Sequence, residues 1–189
     1  MNLVFAAAEE LQRFCEERDW RFCIIGGLAL QHWGEPRVTR DVDVTLLTGF
    51  GGEEPFVDAL LGKYAARVDH AREFALERRV LLLQTPTGVG LDVALAGLPF
   101  EQGVVRRAIM APFTQTLSLR VCSADDLIVL KAFAGRTRDW ADIETILSRQ
   151  RGKLDWAFIW QELRPLCVLK EAPELLDQLE RLRQQIENE

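Results

Sequence analysis

Residues 24–47 read IIGGLALQHWGEPRVTRDVDVTLL, and the Asp-Val-Asp near the end of that stretch decides how the chain is read. An apolar run ends in Gly26-Gly27, and from Val38 to Leu46 the residues VTRDVDVTL alternate in the manner of a strand. Side chains on a strand point to alternate faces, so Asp41 and Asp43 share one face while Val42 and Val44 bury on the other. Two carboxylates held that close repel and raise each other's pKa unless a cation lies between them. Mg²⁺ suits such a place, because it takes oxygen ligands and leaves positions for water and substrate phosphate. Asp92, a single acid in the apolar segment GLDVAL, is the candidate third ligand on a neighbouring strand. Two ions held by the three carboxylates can activate an attacking oxygen and stabilise a leaving one in an in-line phosphoryl displacement.

The glycines supply the other half of that chemistry. After a strand, Gly26 and Gly27 let backbone amides come close to an anion, and the helix that follows presents unsatisfied N–H groups at its start. The plain alternative makes Asp41 and Asp43 solvated strand charges and the glycines an ordinary turn, which leaves Asp92 a separate coincidence. An EF-hand loop needs more acids at fixed spacing, and neither a Walker A loop nor GxGxxG occurs in the sequence.

Outward from this stretch, the first twenty residues form an amphipathic helix with Leu3, Phe5, Leu11, Phe14 and Cys15 on its apolar side. Residues 21–25 are a short strand, and LALQHW a helix stopped by Gly34-Glu35-Pro36. Pro55 opens a helix written PFVDALLGKYAA. Strands RVLLLQ (79–84) and VGLDVAL (89–95) flank a turn at 85–88 and make a hairpin; PFEQGVVRRAI is helical or mixed, and FTQTLSLRVC alternates like one or two strands. Ser123-Ala-Asp-Asp126 has the form of a capping box, so a helix starts there and breaks at Gly135. A second helix starts around Asp139–Asp142, and segments 154–165 and 171–188 are two more. The expected architecture is α+β (α/β): a small mixed sheet flanked by helices over residues 1–122, with a C-terminal helical part over 123–189.

The 189 residues suffice for one well-packed domain, and 48% hydrophobic with 28% charged residues is a globular balance. A net charge of −6 argues against a surface given over wholly to nucleic acid, but not against local arginines at 78–79, 106–107, 136 and 138. Cys15, Cys23, Cys122 and Cys167 are scattered without a CxxC pair, and His32 and His70 stand apart, so neither disulfides nor zinc is expected. No apolar run can span a bilayer, and the opening segment lacks a basic start followed by an apolar core. The expectation is a cytoplasmic protein without a membrane partner.

GG-x13-D-V-D with a following lone Asp resembles the nucleotidyltransferase superfamily of the polymerase-beta type. More narrowly, GGLALQHWGEPRVTRDVDV and the later LKAFAGRTRDWADI are similar to the signatures of the AbiEii-like nucleotidyltransferases, a likeness covering about residues 20–147. The resemblance implies a minimal nucleotidyltransferase fold. It implies transfer of a nucleoside monophosphate from an NTP to an acceptor hydroxyl with two Mg²⁺. Gly26 and Gly27 match the phosphate-holding pair, Gly27 lacking the serine hydroxyl found elsewhere in the superfamily. Asp41 and Asp43 match the metal-binding pair, and Asp92 the third carboxylate, which activates the acceptor. Lys131 matches a basic residue that contacts the triphosphate, and Asp139 a later acid with Asp142 as its rival. Thr39 and Arg40 stand beside the pair and shape the pocket or touch phosphate. Asp139 also reads as a helix N-cap, and His32 as a packed residue. Many proteins of the resembled group are toxins of toxin–antitoxin pairs, some acting on tRNA, so tRNA and an antitoxin are the expected partners. The rival readings are a small-molecule, antibiotic-type nucleotidyltransferase and a catalytically inactive nucleotide-binding module.

Overall fold

The alternation around Asp41 builds a central strand, and the sheet assembles on either side of it. In the computed structural model, which describes residues 2–188, the strands are β1 (Phe22–Ile24), β2 (Asp41–Leu47), β3 (Ala65–Ala66), β4 (Val80–Gln84), β5 (Gly90–Ala96), β6 (Ile109–Pro112) and β7 (Ser118–Val121). They form one mixed sheet in the order β3-β4-β5-β2-β1-β7-β6. β2 runs parallel to β5 and β1 parallel to β7, and the remaining neighbours are antiparallel. The helices among them are α1 (Leu3–Glu16), α2 (Gly26–Trp33), α3 (Glu54–Leu61), α4 (Ala71–Arg78) and α5 (Pro99–Arg107). Then come α6 (Ala124–Ala134), α7 (Thr137–Arg149), α8 (Trp156–Lys170) and α9 (Glu174–Glu187). The fold is the mixed α/β arrangement that the pattern implied. Met1 and Glu189, which the expected bounds included, lie outside the described residues.

The chain divides into two compact units: residues up to Leu28 with Val38–Cys122, and Ala29–Arg37 with the chain from Ser123 onward. In the first unit, α1 and α5 pack on β2 and α4 packs on β4. One sheet face is dry, with Val42, Val44, Leu46, Leu81, Leu83, Leu91, Val93 and Leu95 at most 1% exposed. Burying that face supplies the main stabilisation, since a fully buried aliphatic side chain is worth about 1.5–3 kcal/mol. In the second unit α6 packs against α7, α8 and α9 and buries Leu127, Ile128 and Val129 completely or nearly so. The Ser123 hydroxyl caps α6 by accepting from the Asp126 N–H at 3.1 Å. Gly135 ends it in the left-handed conformation at φ +70°.

Several elements differ from the sequence pattern. β2 begins at Asp41 rather than Val38, because its neighbour β5 begins at Gly90, the register partner of Asp41. α3 stops at Leu61, where Gly62 follows, and does not continue to Ala66; Ala65 and Ala66 pair instead with Gln84 and Leu83. That edge pairing satisfies the backbone and outweighs alanine's helix propensity. α4 had no counterpart in the pattern. α7 starts at Thr137 with Arg136 as its cap residue, so Asp139 lies within the first turn and is not the N-cap. α8 runs through Pro165 to Lys170, because Leu163 and Cys167 on either side stay buried and hold the helix together across the lost hydrogen bond.

Leu91 has no exposed surface and lies on the strand between β2 and β4. Leu91→Ala is expected to lower stability by about 2–5 kcal/mol, measured by urea unfolding with circular dichroism.

Candidate active site

The register of β2 against β5 sets the three carboxylates side by side. Asp43 lies opposite Asp92 and Asp41 opposite Gly90 in the parallel pair. Register partners on adjacent strands point to the same side, so all three acids stand on the face away from the aliphatic core. Asp41, Asp43 and Asp92 are each half-buried, whereas Val42 and Val44 are fully inside. The row extends further: Leu82 of β4 lies opposite Asp92, and the Arg67 N–H donates to the Leu82 carbonyl at 3.0 Å.

The glycines earn their place by their missing side chains. Gly26 takes φ +59°, and a Cβ there would fall 2.6 Å from Asp43 Cγ. A Cβ on Gly27 would fall 2.6 Å from Thr39 Oγ1. The start of α2 therefore lies directly against the acidic strand, and the Gly27 N–H points to Asp43 Oδ2 at 3.4 Å. Thr39 donates its hydroxyl to the Asp41 carbonyl at 3.2 Å and thereby holds the entry to β2. Arg40 is exposed. Gly90 works the same way: a Cβ there would lie 3.1 Å from Asp41 Cγ and 3.1 Å from Arg67 Nη1.

Burial pushes the Asp92 carboxyl above its ordinary range; Arg67 pulls it back in part, and the neighbouring Asp41 pushes it up again. Arg67 and Asp92 form an ion pair on this face. Among the described residues, no three His, Cys, Asp or Glu side chains are already gathered tightly enough to hold a metal. The donor chemistry nonetheless fits a hard divalent cation: three carboxylates share one half-buried face and offer it oxygen ligands.

The second unit holds a separate charge cluster. Lys131 on α6 is buried, and its Nζ donates to Asp142 Oδ2 at 2.5 Å and to Asp139 Oδ1 at 3.4 Å. Arg37 grips Asp142 with two bonds of 2.8 Å, Nε to Oδ1 and Nη2 to Oδ2. Asp142, more than Asp139, is thus the centre of the cluster. Burial pushes Asp142 up, but bonds from Arg37 and Lys131 outweigh it and hold the carboxyl below its ordinary range. Asp139 Oδ2 is buried without a hydrogen-bond partner, the nearest Arg136 nitrogen standing 3.9 Å away. Lys131, expected at the triphosphate, has its charge taken up by two carboxylates. His32 packs edge-on to Trp33 at 4.5 Å, and burial, with Arg149 nearby, holds its imidazole below the usual value. Two site residues escaped the sequence reading. Arg37 stands in the G-x-x-R-x-T signature and had a signal; Arg67 had none, because only strand register puts it beside Asp92.

A family model described as "Nucleotidyl transferase AbiEii toxin, Type IV TA system" matches residues 11–189. No curated protein matches the chain. Among solved structures, an antigenic nucleotidyltransferase-like protein from Paracoccidioides brasiliensis is similar at 15% identity and TM-score 0.53, over 94% of this chain and 92% of that one. That likeness is one of fold. JHP933 from Helicobacter pylori is similar at 12% identity and TM-score 0.45, over 97% of this chain and 94% of that one. ANT(2'')-Ia in complex with adenylyl-2''-tobramycin is similar at 18% identity and TM-score 0.42, over 96% and 94%.

Gly26→Ala meets both a left-handed backbone and the Asp43 carboxylate, so a loss of about 1–3 kcal/mol is expected in chemical unfolding. Asp142 supplies a pH test. Its lowered folded pKa means its contribution is present above the ordinary carboxylate value of about 3.9 and is lost as pH falls through the folded value. Asp142→Asn is expected to cost about 3–5 kcal/mol at neutral pH, because it strands a buried lysine, and to flatten the acid limb of the stability profile. An unchanged acid limb in the variant would show that Asp142 is not the group responsible.

Proposed function

The chain belongs to the AbiEii nucleotidyl transferase family and is an NTP-dependent nucleotidyltransferase, and we propose that the carboxylate face of β2 and β5 is its catalytic surface. The observation that carries this reading is the pairing of Asp43 opposite Asp92, with Asp41 on the same face and the Gly26-Gly27 turn closed against them. Asp41, Asp43 and Asp92 would hold divalent ions, Mg²⁺ in this reading, which when bound neutralise phosphate charge and polarise the reacting oxygens. The start of α2, whose positive dipole end faces the acidic strand, suits the phosphates of the NTP. In the reaction, an acceptor hydroxyl oxygen attacks the α-phosphorus, the bond to the pyrophosphate oxygen breaks, and pyrophosphate leaves with the electron pair. Asp92, on the strand beside the Asp41–Asp43 pair, takes the acceptor proton. Thr39 shapes the turn from behind. The contacts of Lys131 and Asp139 support a positioning role inside the second unit.

The family's description as a toxin of a TA system supports reading this chain as one half of a toxin–antitoxin pair, and tRNA is the acceptor in the reading advanced here. An RNA acceptor needs local basic surface, since the net charge is −6. Arg136 and Arg138 are exposed, and Arg21, Arg106 and Arg120 line a cleft of about 440 Å³ beside Trp20, together with Glu16 and Asp19. Arg79, by contrast, is taken up internally, bonding the Gly49 carbonyl at 2.8 Å. Four buried free cysteines suit a reducing, cytoplasmic setting. No helix of the described residues is long and apolar enough to cross a membrane.

Incubation with each α-³²P-labelled NTP and Mg²⁺, against total tRNA and against pooled aminoglycosides, tests both levels. Label is expected on tRNA, and Asp43→Asn is expected to lower transfer by at least about a hundredfold while keeping the wild-type circular dichroism spectrum. Label on small molecules alone would overturn the RNA reading. Undiminished transfer by Asp43→Asn would overturn the site.

A further inference from the structure

Arg67 is not among the residues that the nucleotidyltransferase pattern picks out, yet from the edge of the sheet its side chain reaches the acidic face. It follows β3 directly, and its backbone N–H continues the β3–β4 ladder by donating to Leu82 at 3.0 Å. Leu82 is the register partner of Asp92, and Asp92 of Asp43, so Arg67 just beyond β3 lies at the end of a row of three residues on three strands. Leu82 offers only a half-buried aliphatic side chain in that row, and the Arg67 guanidinium pairs with the Asp92 carboxylate one strand further on. The other branch of the guanidinium stands over Gly90, within 3.1 Å of where a Cβ would be, in the notch that also receives Asp41. A side chain at residue 90 would close that notch. Arg67 is exposed as a residue, but its side chain and that of Asp92 are 29% and 35% exposed, so the pair is partly shielded from water.

We propose that Arg67 is the tethered counter-ion of the carboxylate face, which occupies Asp92 in the metal-free protein and competes with a divalent cation for it. This rests on the reading of Asp41, Asp43 and Asp92 as a metal-binding set. Half-burial disfavours the charged form of a carboxylate, and a positive charge beside Asp92 offsets that cost. Arg67 supplies one positive charge from inside the chain, and a divalent ion supplies two and demands the same oxygens. A guanidinium is always charged and cannot leave by deprotonation, so it yields the carboxylate only by swinging aside. Arg67 therefore sets a threshold on metal loading. It stabilises the empty face and raises the cation concentration needed to fill it, and NTP phosphates, which bring their own charge, give the displaced guanidinium a new partner.

The test uses Mn²⁺ alone, without nucleotide, followed by electron paramagnetic resonance of the free ion or by calorimetry on the full chain. Arg67→Ala is expected to tighten Mn²⁺ binding by about three- to tenfold, the size of a half-exposed ion pair plus the loss of a nearby positive charge. Arg67→Gln, which keeps the polar reach to Asp92 but not the charge, is the second variant should alanine disturb the fold. It is expected to tighten binding in the same direction, whereas Arg67→Lys stays close to wild type. Equal or weaker Mn²⁺ binding in both neutral variants, with wild type binding measurably, overturns the counter-ion role and leaves the catalytic reading standing. If neither wild type nor either variant binds Mn²⁺, even with NTP present, the carboxylate set is not a metal site and both ideas fall together.

Discussion

Half-burial of three carboxylates on one sheet face is the constraint around which the first unit is arranged. Placing Asp43 opposite Asp92, and Asp41 two residues away, costs stability wherever water is partly excluded. The opposite face of the same strands offsets this cost, since Val42, Val44, Leu91 and Val93 are buried there almost completely. Period-two alternation is what lets one strand carry both kinds of residue. A one-residue slip of β2 against β5 would place valines on the wet side and aspartates in the core, so the hydrophobic pattern itself locks the register that assembles the site.

The small residues around the acids follow from the same constraint. Gly26, Gly27 and Gly90 each lie where a Cβ would run into Asp43, Thr39 or Asp41. Their absence of side chain lets backbone and carboxylate approach closely, which is how amides come within reach of an anion at this turn. Arg67 belongs here too: the site carries its own cation across the row of strands.

The second unit solves a different charge problem by another route. Asp142, buried on α7, is held by Arg37 through two parallel bonds and by Lys131 through a third. Lys131 also reaches Asp139, whose other oxygen has no partner. Two cations and two anions thus balance locally. Removing any one strands its neighbours without water to take over, so the cluster couples α6, α7 and the segment at Arg37 into one piece.

The short-range features were legible without coordinates: the alternating β2, the glycine turn, the capped start of α6 and the two acids of β2 that share one face. Each follows from geometry a few residues long, since a strand's alternation, a cap's hydrogen bond and a proline's restriction are local. Tertiary pairing decided what local geometry leaves open. Alanines at 65 and 66 joined the edge of β4 when helix propensity alone would have continued α3. α8 passed through Pro165 because burial on both sides outweighs one missing hydrogen bond. Lys131 turned inward to Asp142 from a helix that sequence pattern alone would have left solvated or facing phosphate. Arg67 reached Asp92 across 25 residues of chain. Which acids exist and which way their strand turns them is written in the sequence; which cation meets them is settled only when strands distant in the chain lie side by side, because electrostatic energy depends on distance in space.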